Sequence, residues 1–428
     1  MSSLHYAYQC IKCGRQFYPD KPYYTCPNCN DLLLVTRDLD YLRNIRIWPS
    51  NGKSGVFDLI DLILPGFPAE QILSLREGHT PLWRTPDWLL KSLGMKNLFI
   101  KNEGRAPSGS FKDRGMPVAI SETLRLQAEY PGLNIHFVAC ASTGDTSASA
   151  SIYCAYVRDR LKCIVLIPNG NITPAQGYQI EDTGAVVLAL DDNFDGCMRI
   201  VQQFTSSHPE IVLVNSKNAM RIVGQETISL EIFKDLDWQV PDWLAVPVGN
   251  AGNVAAQMSA WLLLKNLDII QKLPKLILAQ TKTANTVVRW INSGFKVYEP
   301  GKPGITMASA MNIQNPVSQP RIDYLRKDFE IYGFDVSEDN IAETRALFNR
   351  AGAGLCTQGA VTLNAVLQAK DSGLIQEKDI VVAINTANDL KFVEAGSAYH
   401  RSGKKLSNPP VVLEATLEAV NQAVANLL

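Results

Sequence analysis

The sequence predicts an α/β fold with mostly parallel sheets and a small separate module at the N-terminus. From about residue 76 onward, apolar runs rich in β-branched residues alternate with amphipathic stretches. These runs are apolar at consecutive positions, which is typical of strands buried on both faces of a parallel sheet. The chain has 428 residues, more than one compact core accommodates, so roughly two or three domains are expected.

The predicted strands are separated by stretches with helical periodicity, such as 146–160 and 194–208. Strands are predicted at 98–104, 135–142, 162–168, 185–191, 211–216, 243–249, 275–280 and 379–385. Such alternation predicts βαβ units, whose right-handed crossovers place the loops after the strands along one edge, where ligands bind. The last stretch, 411–428, is predicted to be an amphipathic closing helix that packs on the body.

Composition excludes several classes of function. The net charge is −1, so the chain has no basic field that would hold nucleic acid or an anionic membrane. No apolar run approaches the roughly 20 residues that a membrane-spanning helix needs. The first residues lack the basic and apolar regions of a signal peptide, so a cytoplasmic location is expected. The expected partner is a small molecule.

Four of the nine cysteines form two CxxC pairs, Cys10 with Cys13 and Cys26 with Cys29. Each pair directs two thiolates at one point, and together they complete a tetrahedral zinc site without an open position for catalysis. The sequence therefore predicts a structural zinc ion, and the alternative is a ribbon that no longer holds metal. The other cysteines are scattered in apolar stretches, which favours buried free thiols over disulfides.

Lys112 lies in the segment 106–116, between a predicted strand and a predicted helix. This is the kind of turn at which ligand sites lie in α/β folds. A buried lysine loses its charge readily, as a nucleophilic amine must. The position therefore suits a catalytic lysine, although a solvated surface lysine would satisfy the same pattern.

The run Ser110-Phe111-Lys112-Asp113 resembles the cofactor-lysine motif of the threonine synthases, in the tryptophan-synthase-β-like group of pyridoxal 5′-phosphate (PLP) enzymes. The resemblance covers about residues 76 to 400. It implies a fold type II PLP enzyme with parallel-sheet three-layer sandwiches in two domains, and a PLP cofactor that Lys112 holds as a Schiff base. It also implies a homodimer.

Residues 141–150 follow one predicted strand and open a helix, where backbone N–H groups bind anions. The resemblance implies that this loop holds the substrate carboxylate, with hydroxyl groups from Ser142, Thr143 and Thr146. It places Asp145 beside the 3′-oxygen of PLP, where many relatives carry Asn. Because two like charges repel, we expect the Asp145 carboxylate to share a proton or to turn away.

A second loop, 247–253, also joins a predicted strand to a helix. The resemblance implies that five consecutive residues of it contact the PLP phosphate: Gly249, Asn250, Ala251, Gly252 and Asn253. Serine and threonine dehydratases usually have a run of glycines here, so this loop argues against them. In the segment 385–391, Thr386 is implied to face the pyridine nitrogen of PLP as a neutral hydroxyl.

Asn215, Ser216 and Arg221 form a third group of polar residues after a predicted strand. A guanidinium with amide and hydroxyl donors suits a phosphate. The resemblance implies that these residues bind the phosphate of the substrate, O-phospho-L-homoserine, which reacts with water to give L-threonine and phosphate. In this reaction Lys112 acts as the general base.

The sequence pattern and the resemblance together predict a division of the chain into four parts. They are a zinc-ribbon-like module (1–35), an N-terminal segment that packs on the large domain (36–100), a smaller α/β domain with the PLP lysine and the carboxylate loop (101–235), and a large α/β PLP-binding domain with the phosphate loop and the C-terminal helix (236–428).

Three residues depart from the family pattern: Gln358, Asn388 and Asp389. They motivate an alternative, a related PLP enzyme that carries out β- or γ-replacement or elimination on another phosphorylated or activated amino acid, such as O-phosphoserine. A third hypothesis, from another class, is a non-enzymatic zinc-ribbon interaction protein. Visible cofactor absorbance that depends on Lys112 would separate the enzymes from this last class.

Overall fold

The computed structural model describes residues 4–45, 55–142, 144–170, 173–192, 194–302 and 304–425. In chain order its strands are β1 (Tyr6–Cys10), β2 (Gln16–Phe17), β3 (Leu33–Arg37), β4 (Leu82–Arg84), β5 (Asn97–Asn102), β6 (Phe137–Ala141), β7 (Lys162–Pro168), β8 (Val186–Leu190), β9 (Ile211–Leu213), β10 (Trp243–Pro247), β11 (Lys275–Thr281), β12 (Ile331–Val336) and β13 (Ile380–Asn385).

The helices of the same residues are α1 (Leu39–Arg43), α2 (Ile60–Ile63), α3 (Asp87–Leu93), α4 (Lys112–Glu129), α5 (Asp145–Tyr156), α6 (Pro174–Glu181), α7 (Phe194–Ser207), α8 (Ala219–Asp235), α9 (Gly252–Asn266), α10 (Thr286–Asn292), α11 (Gln319–Leu325), α12 (Glu338–Arg350), α13 (Thr357–Asp371), α14 (Val393–His400) and α15 (Leu417–Ala425).

Two parallel sheets carry the body of the fold. The larger has the strand order β12-β11-β10-β13-β5-β4, in which only the edge strand β4 runs antiparallel to its neighbour. The smaller has the order β8-β7-β6-β9 and is parallel throughout. Every strand that the sequence predicted lies in one of these sheets, and the α/β prediction is confirmed.

Helices α4 and α9 both pack against α8, and one hydrophobic core joins the three helices to residues of β6, β7, β10 and β11. Glycines let the backbones of α4 and α8 approach closely. A Cβ atom at Gly115 would lie 2.3 Å from the carbonyl oxygen of Arg221, and one at Gly224 would lie 2.0 Å from that of Arg114. The first turns of α4 and α8 are therefore held against each other.

The N-terminal module is a three-stranded antiparallel sheet with the order β2-β1-β3. Buried and half-buried residues alternate along β1 and β3, as in strands with one face on a core. A buried ion pair joins this module to α8, because Arg37 Nη2 lies 2.5 Å from Glu226 Oε2. Tyr6 donates a hydrogen bond of 3.1 Å to Glu122 in α4. The module is thus docked on α4 and α8.

The prediction that the C-terminal stretch packs as a closing helix is wrong. Only α15 is helical there, and the described side chains from 408 to 425 are exposed or half-buried. Val412 is 91% exposed and Leu417 is 76% exposed. The amphipathic pattern indicates a helix but does not say what covers its apolar face.

The four-part division of the chain stays a prediction. Strands β4 and β5, which straddle the expected boundary at residue 100, both pair within the larger sheet, and β5 lies beside β13. Among the described residues, no helix is both long enough and apolar enough to span a membrane.

Candidate active site

A cavity lies where the carboxyl ends of β6, β9, β10 and β13 meet the N-termini of α4, α5 and α9. Its volume is about 1060 Å³, including its open mouth. Nearly all the site residues expected from the sequence line it: Lys112, Ser142, Asp145, Thr146, Asn215, Ser216, Arg221, Gly249, Asn250, Ala251, Gly252, Asn253 and Thr386. Thr143 lies outside the described residues.

Lys112 is the first residue of α4, and its amine faces this cavity. Its Nζ lies 3.7 Å from the centre of the Phe111 ring. Burial is the largest cause that lowers the pKa of Lys112, and the positive charges of Arg221 and Lys391 act in the same direction. Asp145 opposes them, and the net result is a pKa of about 7. A substantial fraction of the amine is therefore neutral near pH 7, as nucleophilic or general-base chemistry requires.

Asp145 is the first residue of α5 and forms an ion pair with Lys391, to which the sequence analysis assigned no role. Its Oδ1 lies 3.0 Å from Lys391 Nζ and accepts a 2.9 Å hydrogen bond from Gln176 Nε2. Burial would raise the pKa of this carboxyl, but Lys391 and Lys112 outweigh burial and lower it. Asp145 is therefore ionised in this structure, and Lys391 balances its charge.

The Gln176 side chain reaches Asp145 across Gly144. A Cβ atom at Gly144 would lie 2.2 Å from the end of the Gln176 side chain, so a side chain here would displace the Gln176 amide from Asp145. Lys391 is held by a second hydrogen bond, of 2.7 Å, from its Nζ to the carbonyl oxygen of Ser108. Lys391 is thus fixed by the loop that precedes Lys112, whereas the Gln176 amide oxygen accepts a 2.9 Å hydrogen bond from Thr173 Oγ1.

The loop from Gly249 to Asn253 presents the N-terminus of α9 to the cavity. Ala251 has φ +61°, a left-handed conformation, which directs the N–H groups around it into the loop. A Cβ atom at Gly249 would lie 2.7 Å from the carbonyl oxygen of Ala310, so the backbone here has no room for a side chain. Asn253 Nδ2 is buried without a partner among the described residues. These donors suit a phosphate.

Asn215, Ser216 and Arg221 form a second group of donors. Asn215 is fixed to Ala141, because its Nδ2 donates to the Ala141 carbonyl at 2.7 Å and its Oδ1 accepts from the Ala141 N–H at 2.9 Å. Arg221 Nη1 donates to the carbonyl oxygen of Val214 at 2.5 Å, while its Nε has no partner among the described residues. Burial lowers the pKa of Arg221 to about 10. An incompletely paired, buried guanidinium is costly unless a ligand anion completes it.

Thr386 follows β13, and its Oγ1 lies 3.7 Å from the thiol of Cys356. The three departures from the family pattern lie in different places. Gln358 lines the cavity, and both atoms of its amide lack partners among the described residues. Asn388 instead caps the following turn and donates to the Gly104 carbonyl. Asp389 lines a separate cavity beside Arg345.

The four N-terminal cysteines meet at one point, as expected for a metal site. Their sulfur atoms lie within 4.8 Å of one another. The distances are 3.4 Å between Cys10 and Cys29 and 3.7 Å between Cys13 and Cys26. The backbone N–H groups of Cys13 and Asn28 donate to the sulfur atoms of Cys10 and Cys26, which supports thiolates. The other five cysteines are buried, free thiols, as the sequence predicted.

The donor set fits the cofactor that the resemblance implies. A buried amine of lowered pKa, a backbone cradle at a helix N-terminus and a hydroxyl after β13 all line one cavity. Sequence reasoning assigned no role to Gln176 or Lys391, because a lone glutamine or lysine carries no local signal of the groups that it meets across the fold.

A family model described as pyridoxal-phosphate dependent enzyme matches residues 73–387. The chain is 36% identical over 388 residues to "Threonine synthase 2, chloroplastic" of Arabidopsis thaliana, and the match covers 89% of this chain and 74% of that protein. It is 34% identical over 422 residues to the threonine synthase of Methanocaldococcus jannaschii, with 98% and 99% of the two chains covered.

Solved structures share the fold. The threonine synthase of Escherichia coli superposes with a TM-score of 0.70 at 19% identity, covering 98% of this chain and 100% of that one. The PLP-bound threonine synthase of Brucella melitensis gives a TM-score of 0.69 at 20% identity, with 92% and 91% covered. From the family match and the identities over most of its length, the chain belongs to the pyridoxal-phosphate dependent enzymes, in the threonine synthase family.

Proposed function

We propose that this protein is a PLP-dependent lyase that converts O-phospho-L-homoserine and water into L-threonine and phosphate. The observation that carries the proposal is the pairing of two anion-binding groups with one buried lysine in the same cavity. One group, the loop 249–253, suits the phosphate of the cofactor. The other, around Arg221, suits the phosphate of a substrate.

The residues around Lys112 would hold the cofactor. Lys112 would anchor it covalently, the loop Gly249–Asn253 would bind its phosphate, Thr386 would face its ring nitrogen and Asp145 would face its 3′-oxygen. When bound, PLP supplies an electron-accepting ring that stabilises negative charge next to the substrate nitrogen.

Lys112 moves the protons of the reaction. Its Nζ takes a proton from Cα of the substrate and then from Cβ, which allows phosphate to leave from Cγ. It returns one proton to Cγ after phosphate has left and the other to Cα after water has added its hydroxyl at Cβ, while the remaining proton of water goes to the released phosphate. A pKa of about 7 suits this double role, because the amine is then neither a weak base nor a weak acid near neutral pH.

Two sets of donors would orient the substrate. Ser142 and Thr146 lie at the N-terminus of α5 and suit the carboxylate. Thr143 is proposed for the same role from the sequence alone. Asn215, Ser216 and Arg221 suit the phosphate. Because each set binds one charged end, the substrate carbons lie between them, at the amine of Lys112.

The test is product formation from O-phospho-L-homoserine and from O-phosphoserine, measured as released phosphate and as amino-acid product. Threonine from the first substrate is expected, and its absence would overturn the proposal. Arg221→Met should raise KM for O-phospho-L-homoserine by roughly tenfold or more, since it removes a charged donor. The matched control is Arg158→Met, at an exposed position outside the cavity, which should leave KM unchanged.

Gln358 favours a second candidate, a related enzyme that acts on another phosphorylated amino acid. Its amide lines the cavity with both polar atoms free of partners among the described residues, so it is placed to contact a substrate. Asn388 and Asp389, which motivated the same alternative, bind backbone groups or line another cavity. Phosphate release from O-phosphoserine that exceeds release from O-phospho-L-homoserine would favour this candidate.

We further propose that Cys10, Cys13, Cys26 and Cys29 bind a structural zinc ion, supported by the convergence of their sulfur atoms. A homodimer is proposed on the family resemblance, and light scattering would test it. The cytoplasmic location expected from the sequence stays a prediction, which cell fractionation would test.

A further inference from the structure

Arg321, in α11, links three parts of the chain through its side chain. Its Nε donates to the carbonyl oxygen of Leu33 in β3 at 2.9 Å. Its two terminal nitrogens donate to the carbonyl oxygens of Ser216 at 2.8 Å and Lys217 at 3.0 Å. Nη1 also donates to Ser318 Oγ at 2.9 Å. The guanidinium thus holds the N-terminal module and the loop after β9 at the same time.

The charge of Arg321 is not compensated by an acid. The side chain is fully buried, and within the described part of the chain no carboxylate pairs with it. Burial lowers its pKa to about 10. Buried charges normally have an ionic partner, because carbonyl groups offset only part of the lost hydration. An anion bound nearby would supply the missing charge.

Hydrogen bonds connect this guanidinium to the backbone of both proposed phosphate sites. Ser216, whose carbonyl it binds, lines the cavity. Ser318 donates its backbone N–H to the carbonyl oxygen of Asn250 at 3.1 Å, and a Cβ atom at Gly252 would lie 3.8 Å from Ser318 Oγ. Arg321 therefore lies behind the cavity wall, and it binds the backbone that carries the anion donors.

The N-terminal module meets this arrangement at two points. Leu33, which accepts from Arg321, is the register partner of Cys10 in the β1–β3 pair. Tyr24, between the two cysteine pairs, accepts a 2.7 Å hydrogen bond at its hydroxyl from the N–H of Leu213, at the end of β9. Cys10 thus pairs with Leu33, and the Arg321 guanidinium binds the carbonyl groups of both Leu33 and Ser216.

We propose that Arg321 is a positioning residue through which the N-terminal module fixes the Ser216–Lys217 backbone and adds positive charge to the substrate-phosphate site. The module is then a structural part of that site and not a separate appendage. This inference rests on the proposed function for the identity of the substrate, but not for the binding of phosphate itself.

The first test measures the dissociation constant of inorganic phosphate on the full-length holoenzyme by calorimetry. Arg321→Met should weaken phosphate binding by roughly tenfold or more, and Arg321→Lys, which keeps the charge but not all the hydrogen bonds, by only about threefold. KM for O-phospho-L-homoserine should rise in parallel, while kcat changes much less. Lys327→Met, which removes an exposed charge just after α11, is the matched control and should change none of these.

A phosphate affinity that is the same in Arg321→Met as in the wild type would overturn the inference, as would equal losses in the Met and Lys variants. If Arg321→Met does not fold, Arg321→Lys alone decides: a selective loss of phosphate affinity supports the role, and wild-type affinity contradicts it. A wild-type protein that binds phosphate through Arg321 but forms no threonine would contradict the proposed function and still support this inference.

The second test asks whether the module acts through Arg321. Cys10→Ser perturbs the strand opposite Leu33, and its effect on phosphate affinity is measured alone and combined with Arg321→Met. The combined loss should be smaller than the product of the two separate fold-changes, because both changes break one connection. Multiplicative losses, or no effect of Cys10→Ser, would contradict the role of the module.

Discussion

Lys391 Nζ lies 3.0 Å from Asp145 Oδ1, and both side chains are buried beside the amine of Lys112. The two residues come from opposite halves of the fold, since Asp145 opens α5 below the smaller sheet and Lys391 follows β13 of the larger one. In the proposed cofactor site, this ion pair would balance the charge of a carboxylate that would otherwise repel the cofactor's 3′-oxygen. It also sets the electrostatic field at Lys112.

Removing either partner should shift the pKa of Lys112, in opposite directions. The positive charge of Lys391 lowers this pKa and the negative charge of Asp145 raises it. Lys391→Met should therefore move the pKa above its value of about 7, and Asp145→Asn should move it below. The measurement is the pH dependence of carbamylation of Lys112 by cyanate in the cofactor-free protein, followed by peptide mass spectrometry. The exposed Lys296, measured in the same samples, is the control. Shifts of the same sign in both variants would rule out this assignment of charges.

Lys112→Ala should abolish both the visible absorbance of bound PLP and the formation of threonine. The loss of the nucleophile and general base should lower turnover by roughly 10³-fold or more. Lys96→Ala, at an exposed ion pair with Glu377, should keep wild-type absorbance and turnover. A Lys112→Ala protein with normal turnover would show that another residue carries the chemistry. A colourless wild type that PLP cannot reconstitute would favour the non-enzymatic hypothesis.

Glu231→Gln should destabilise the fold strongly. Glu231 binds two buried cations, with 2.5 Å from its Oε1 to Arg114 Nη1 and 2.9 Å from its Oε2 to Lys101 Nζ. Removing one charge from such a network lowers the free energy of unfolding by about 3–5 kcal/mol. Chemical denaturation of the two proteins at pH 7 measures the difference. Glu377→Gln, at an exposed pair, should change stability little.

The pH dependence of that difference follows from the same network. Burial would raise the pKa of Glu231, but Arg114 and Lys101 outweigh burial and hold it far below its ordinary value. A depressed carboxyl contributes its full stability above its unfolded pKa of about 4.3, and loses it as the pH falls toward the folded value. The stability gap between wild type and Glu231→Gln should thus stay constant between about pH 5 and pH 7 and narrow below about pH 4. A gap that widens with acidity would contradict this.

The purified protein should contain about one zinc ion per chain, and Cys26→Ser should release it and lower the melting temperature. Elemental analysis and thermal unfolding are the measurements. Cys163→Ser changes a buried thiol outside the cluster and should keep the zinc. A wild-type protein without bound metal would contradict the zinc proposal and favour a ribbon that no longer holds metal.

Local pattern was enough to predict the turns on which most of the site lies. Lys112 and the loop 249–253 each lie between a buried strand and a helix, and both elements are encoded by residues next to them in sequence. The two edge strands of the larger sheet, β4 and β12, were missed, because each is short or only half-buried and shows no clear apolar run. The C-terminal helix was predicted to pack, because amphipathicity records an apolar face and not its partner.

The sequence by itself determined the α/β class, the buried strands of both parallel sheets, the cysteine pairs and the loops that bear Lys112, Asn215 and Gly249. Each of these depends on neighbours within about ten residues, over which side-chain periodicity and turn chemistry act. Only the tertiary structure decided that Lys391 balances Asp145 and that Arg321 joins Leu33 to Ser216. Those contacts depend on which strands end at the same edge of a sheet. At that edge a buried charge meets partners that are distant in the sequence.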